Sequence, residues 1–199
     1  NEFVVMNRRL NAITRKDRTP LPRVDELLDT LDNARVYSSL DLFRRYHQVR
    51  VKEHDVYKTA FRTHFGSFEF VVLPFGLTNA PATFQTMMNS ILVPYLHQFC
   101  VVYLDDILIY SKTPEEHLRH LESVLTALQE HQLRVNSKKC SFLRKEVEYL
   151  GHRVTGGMIE PDPQKVEAVK EWPAPTTLTE VRGFLGLVGY NRRFIPQFT

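Results

Sequence analysis

Asp105 and Asp106 are adjacent carboxylates set between two strand-forming runs. Phe99-Cys100-Val101-Val102-Tyr103-Leu104 precedes them and Ile107-Leu108-Ile109-Tyr110 follows. Apolar β-branched and aromatic runs of this length predict buried strands, and the polar break between them predicts a hairpin turn. Neighbouring anions at the tip of an apolar hairpin repel each other, so a positive partner is required there. No Cys/His cluster lies nearby, and the natural partner is a hard divalent cation that keeps waters or phosphate oxygens as further ligands. An Asp-Asp pair also occurs in ordinary solvated turns. A third acid, Asp41, favours the metal reading, because it interrupts a second strand-like run, Val36-Tyr37-Ser38-Ser39-Leu40-Asp41-Leu42. If that run lies beside the hairpin, Asp41 and Asp105 can share two ions ~3.5–4 Å apart, an arrangement that assists in-line displacement at phosphorus. One ion would activate an attacking hydroxyl; the other would hold a triphosphate and its leaving pyrophosphate. Alternation along a strand leaves open which side Asp106 takes.

The elements that must position these acids are those of an α+β fold, two helices lying on one side of strands with acids at their turns. Val24, Leu27, Leu28 and Leu31 mark a short amphipathic helix before the Asp41 strand. Runs 57–63 and 67–73, joined through Gly66, predict a hairpin. A helix starts near Asn79-Ala80-Pro81, with Phe84, Met87, Met88, Ile91 and Leu92 on its apolar face. Thr113-Pro114-Glu115-Glu116 is a capping box opening a helix that buries Leu118, Leu121, Val124, Leu125 and Leu128. His117 and His120 on that helix lack further ligands at zinc spacing and are not read as a zinc site. Residues 147–154 predict a hairpin arm, with Gly156-Gly157 as its turn. Asp162-Pro163 opens a helix through Val166, Val169 and Trp172, and Thr177-Leu178-Thr179-Glu180 caps another that runs to about Arg193. In that last helix Gly183, Gly186 and Gly189 recur every third residue, each costing ~1 kcal/mol relative to alanine. Something therefore approaches the backbone closely. Arg182, Gly186 and Tyr190 share one stripe, which suits the shallow groove of an A-like duplex or a neighbouring helix equally well.

Bulk properties narrow the class without choosing it. The 199 residues are 43% hydrophobic and 25% charged, ordinary for a globular chain. A formal net charge of +3 is too small to argue for nucleic acid by itself. Basic pairs such as Arg44-Arg45, Lys138-Lys139 and Arg192-Arg193 recur and could form a phosphate-facing track, although solvated faces explain any one pair. Two cysteines, Cys100 and Cys140, make no disulfide framework and fit a reducing, intracellular setting. No signal peptide or apolar run of spanning length is visible, so no membrane partner is expected.

Taken in order, a set of blocks closely resembles the reverse transcriptase of gypsy-type LTR retrotransposons. They are 10–14, 18–23, Ser39-Leu40-Asp41-Leu42, Tyr46-His47-Gln48, 58–63, 73–85, Tyr103-Leu104-Asp105-Asp106, Tyr149-Leu150-Gly151-His152 and Phe184-Leu185-Gly186. The resemblance implies a right-hand polymerase: fingers at 1–15 and 49–79, palm at 16–48 and 80–155, and the start of a helical thumb at 156–199. It implies that Asp41, Asp105 and Asp106 bind two Mg²⁺ ions (Mn²⁺ serving as well), with Lys138 or Lys139 near the pyrophosphate as a general acid. It places Leu42, Tyr46, Phe75 and Gly76 at the incoming deoxynucleotide, Tyr46 as a steric gate against a 2′-hydroxyl. Gln85, Tyr103, Leu150, Gly151, Arg182, Gly186 and Tyr190 would contact template or primer. The implied partners are an RNA template, a DNA primer, their RNA/DNA hybrid and dNTPs. The protease, ribonuclease H and integrase of a Pol polyprotein would accompany them, in a cytoplasmic virus-like particle or the nucleus.

The chain departs from the family pattern at its start. Where the family has an arginine and then Asp-Tyr-Arg, this chain has Glu2 and Met6-Asn7-Arg8. Reversing the charge at position 2 is expected to weaken a triphosphate contact, and both fingers and thumb are expected to be incomplete. The competing expectations are a remnant that binds nucleic acid without catalysis, and a template-free two-metal enzyme such as a nucleotide cyclase. The glycine-striped helix and the Leu150-Gly151 turn would have no task in a cyclase.

Overall fold

The computed structural model describes residues 7–198, so Glu2 and Met6 lie outside the described residues. Helices α1 (Arg8–Ile13) and α2 (Val24–Asp29) precede strand β1 (Val36–Asp41). The hairpin of β2 (Phe61–Thr63) and β3 (Gly66–Phe68) leads to α3 (Ala80–Leu92). Next come β4 (Cys100–Tyr103), β5 (Asp106–Ser111) and α4 (Pro114–Glu130). Strands β6 (Ser141–Arg144), β7 (Glu146–Tyr149), β8 (His152–Thr155) and β9 (Met158–Pro161) follow, then α5 (Pro163–Lys170) and α6 (Leu178–Gly189).

The central sheet is antiparallel, in the order β4-β5-β1-β6. Its strands alternate apolar residues to both faces, as a sheet covered on each side requires. Leu40, Val102, Ile107 and Ile109 pack with Phe84, Met88 and Leu92 of α3 and Val124 and Leu128 of α4. Tyr37, Val101, Leu108 and Tyr110 pack on the opposite face, against Leu27, Leu28 and Leu31 and against Val147, Tyr149 and Val154. Both long helices therefore lie on one face, as expected for the palm. The other face is covered by α2 and the three-stranded meander β7-β8-β9.

Several local expectations need correction. The predicted arm 147–154 is broken at Leu150 and Gly151, whose φ values of +47° and +64° make a two-residue hairpin turn closing on the Tyr149–His152 pair. Strand β9 pairs with β8, so this sheet continues past residue 156. Gly157 must be glycine: its φ is +84°, and a Cβ there would meet the Asn33 backbone nitrogen at 2.6 Å. Residues 57–59 belong to a 3-10 helix, Glu53–Thr59, which shortens the predicted hairpin. Leu118 is exposed instead of buried, because the first turn of α4 sits over the polar Ser38 and Ser111 and turns His117 inward. Trp172 lies past the end of α5, and α6 ends at Gly189. Among the described residues no helix is long and apolar enough to cross a membrane.

Candidate active site

Strand register decides where the acids meet. Asp41 ends β1 directly opposite Asp106, the first residue of β5. Both share the strand parity of Tyr37, Leu108 and Tyr110, so they project toward the meander side of the sheet. Leu104 and Asp105 form the two-residue turn between β4 and β5, closed by the Tyr103–Asp106 pair. Leu104 has φ +54°, a left-handed conformation that β-turn geometry demands and that a leucine adopts at a cost. Gln85 holds the turn in place: its Oε1 accepts from the Leu104 N–H at 2.6 Å and its Nε2 donates to the Val102 carbonyl at 3.2 Å.

Like charges directly across a strand pair destabilise it unless they are neutralised. The neutralising group is Arg45. Its Nε lies 2.6 Å from Asp105 Oδ2 and its Nη2 3.4 Å from Asp41 Oδ2. Burial, opposed by Arg45 and helped by the Asp41 charge, raises the Asp105 pKa above the ordinary carboxylate value. Asp106 is raised too, first by desolvation at the start of β5 and then by the Asp105 charge. Desolvation opposes the charge on Arg45, but the three aspartates outweigh it and raise its pKa. Three carboxylates are the oxygen-rich donor set a hard divalent cation takes. In donor chemistry they fit Mg²⁺, yet among the described residues no three acidic, histidine or cysteine side chains are arranged to hold a metal ion as they stand. The acids are organised around the guanidinium.

Tyr46 is half-buried, edge-on to Phe75 (4.9 Å between ring centroids) and to Phe84 (5.2 Å). Burial raises its phenol pKa, with Asp105 adding to the shift. Gly76, at φ +90°, sits in a loop clasped by Asn11, which donates to the Gly76 carbonyl and accepts from the Thr78 N–H. Lys139 is exposed, and its charge reaches Asp105; Lys138 is exposed beside it. Two expected contacts are corrected. Leu42 is fully buried in the core on the helix side, so its side chain cannot touch a nucleotide. Gln85 is 1% exposed with its amide committed to the turn, and cannot face a template.

The profile of the reverse transcriptase (RNA-dependent DNA polymerase) family matches residues 3–154. The chain belongs to this family. It is 47% identical over 98% of its length to the retrovirus-related Pol polyprotein from transposon 297 of Drosophila melanogaster, covering 18% of that protein. It is 40% identical over 98% of its length to the Pol polyprotein from transposon gypsy of the same organism, covering 19% of it. The chain thus spans about a fifth of these relatives. A foamy viral protease–reverse transcriptase solved with double-stranded DNA superposes at a TM-score of 0.89 with 28% identity, over 98% of this chain and 34% of the other. A second, solved with an RNA/DNA hybrid, gives a TM-score of 0.81 at 28% identity, covering 98% of this chain and 26% of the other. The right-hand polymerase fold expected from sequence is the reverse transcriptase fold, and enzymes of this family use divalent metal ions.

In this reverse transcriptase fold the remaining candidates gather on the meander side. Ser39, Asp106, Tyr149, Leu150 and Gly151 line one cleft, and Tyr103 packs on the same face. Tyr190 also has partners within the chain: its hydroxyl donates to the Leu150 carbonyl, and its ring centroid lies 4.3 Å from Lys165 Nζ and 5.2 Å from the His152 ring. It ties α6 to the Leu150-Gly151 turn, while Arg182, Gly186 and Tyr190 all remain exposed along the stripe. A Cβ at Gly186 or Gly189 would meet nothing within 4 Å, so packing within the described chain does not account for those glycines. The sequence reading missed Arg45 and Asn11. Arg45 was visible only as half of a basic pair, since spacing from a strand residue does not report a contact.

Proposed function

We propose that this chain is the catalytic core of an RNA-directed DNA polymerase. It would direct a primer 3′-hydroxyl onto the α-phosphorus of a dNTP opposite a template, releasing pyrophosphate. The observation that carries this reading is the convergence of Asp41 and Asp105, distant in sequence, on a single cationic group, with Asp106 across the strand pair. Asp41, Asp105 and Asp106 would hold Mg²⁺ or Mn²⁺, which when bound supplies hydroxyl activation and charge neutralisation at phosphorus. Tyr46, braced by Phe75 and Phe84, would restrict the space beneath the sugar. The Phe75-Gly76 loop, held by Asn11, would present its backbone to the nucleotide. Lys139, near enough for its charge to reach Asp105, or its neighbour Lys138, would donate a proton to the departing pyrophosphate. Leu150 and Gly151 would seat the primer end, and Arg182 and Gly186 would follow the duplex. Support comes from the relatives, which are Pol polyproteins, and from the foamy viral structures, which contain double-stranded DNA and an RNA/DNA hybrid. An intracellular setting, in a cytoplasmic particle, belongs to this reading; the free thiols of Cys100 and Cys140 accord with it.

The test is primer extension on an RNA template by the full protein carrying this chain. Asp105→Asn is expected to lose at least about 100-fold in rate while still folding, as a cooperative thermal melt shows; unchanged extension would refute the assignment. One observation favours a second reading, a remnant that binds duplex without incorporation: Arg45 stands among the carboxylates. Hybrid binding with no incorporation by the wild type would establish it.

A further inference from the structure

Arg45 occupies the centre of the carboxylate cluster in a manner its backbone does not favour. Arg44 and Arg45 have φ values of +54° and +41°, consecutive left-handed residues with no glycine between them. Non-glycine residues in this region are strained and persist only where surrounding contacts over-determine them. Here the contacts are two ion pairs on one side and, on the other, the next residue, Tyr46, wedged between Phe75 and Phe84. The guanidinium is fully charged at any physiological pH, so it cannot leave the acids by losing a proton. Dications sharing the same oxygens with it would meet close like-charge repulsion. The Arg45 side chain is 38% exposed, so it can swing into water without opening the core.

We propose that Arg45 is a built-in counter-ion that fills the carboxylate cluster until metal ions displace it, and so sets the metal concentration at which the site loads. This inference rests on the reading of Asp41, Asp105 and Asp106 as the metal site. It accounts for two features together: the strained arginine pair, and the absence, among the described residues, of a ready-made metal cluster.

The test is Mn²⁺ binding without nucleotide, followed by electron paramagnetic resonance, on the full protein. Arg45→Gly suits the local φ, and Arg45→Met keeps the stem without the charge. Both are expected to bind Mn²⁺ about tenfold tighter or more. Both are also expected to melt lower in chelator, with a larger rise on adding Mn²⁺ than the wild type shows. Should the glycine variant fail to fold, the methionine variant decides. Unchanged or weaker Mn²⁺ affinity in a folded Arg45 variant overturns the proposal. Asp105→Asn separates the two levels. If it binds Mn²⁺ as the wild type does, the metal-site reading itself fails. If it binds more weakly while the Arg45 variants match the wild type, only the counter-ion proposal falls.

Discussion

Gln85 shows how one side chain can shape a site without touching what the site binds. Its amide meets Leu104, Val102 and Asn89, so the turn that carries Asp105 is held from behind by a buried strap. The left-handed Leu104 it supports stores roughly 1–3 kcal/mol of strain. Gln85→Leu is therefore expected to leave the Leu104 N–H and the Val102 carbonyl without their partner and to lower stability by about 1–3 kcal/mol, read from denaturant midpoints. Affinity for an RNA/DNA hybrid should hold while primer extension falls. Weakened hybrid affinity at full stability would return Gln85 to the template face. The inward position was legible in the sequence: 85, 88 and 92 share a helical stripe with Phe84 beside them, and only the resemblance suggested otherwise. Arg45 was legible as a charge but not as a contact, because nothing in a sequence pattern reports a positive φ at an arginine.

At the scale of elements, α4 keeps its apolar stripe at Leu121, Val124, Leu125 and Leu128 but carries a buried polar seam in its first turn, where Leu118 was expected to be buried. His117 is fully buried, with Nε2 on Ser38 and Nδ1 on Ser111, and Ser111 also meets His120. Burial, with a smaller contribution from the His120 charge, lowers the His117 pKa to about 4. Between the ordinary value of 6.5 and about 4, the unfolded chain binds a proton that the folded chain refuses. The associated stability is complete above pH 6.5 and is lost as pH falls toward 4, amounting to roughly 3 kcal/mol. Denaturant midpoints at pH 7 and 4.5 measure it, and His117→Gln is expected to flatten the difference; an equal slope in the variant would clear His117. Periodicity exposed β4, β5, α3 and the two capped helices because each has one clear apolar face or cap. It missed the Leu150-Gly151 turn, since a leucine at φ +47° leaves no turn signature. It found the strand run at 147–154 and its Gly156-Gly157 turn, but not that this layer packs behind the central sheet.

Across the whole molecule, chemistry depends on pairings that no local pattern specifies. Strand β1 is inserted between β5 and β6, and that insertion alone sets Asp41 opposite Asp106. A slip of one residue would turn Asp41 to the helix side. On the far side, Arg192 and Arg193 pair with Asp25 and Asp29 of α2, and Tyr190 meets the Leu150 turn, so the last helix is tied to the palm that carries the acids. Individual elements could be read from the sequence; their adjacency came from the family likeness and is now given a register. The most direct measurement is diffraction at the manganese absorption edge from the full protein with primer–template, incoming nucleotide and Mn²⁺. Anomalous peaks bonded to carboxylate oxygens of both Asp41 and Asp105, with the Arg45 guanidinium withdrawn from them, are the expected result. Manganese bound to the nucleotide phosphates without touching either aspartate would contradict it.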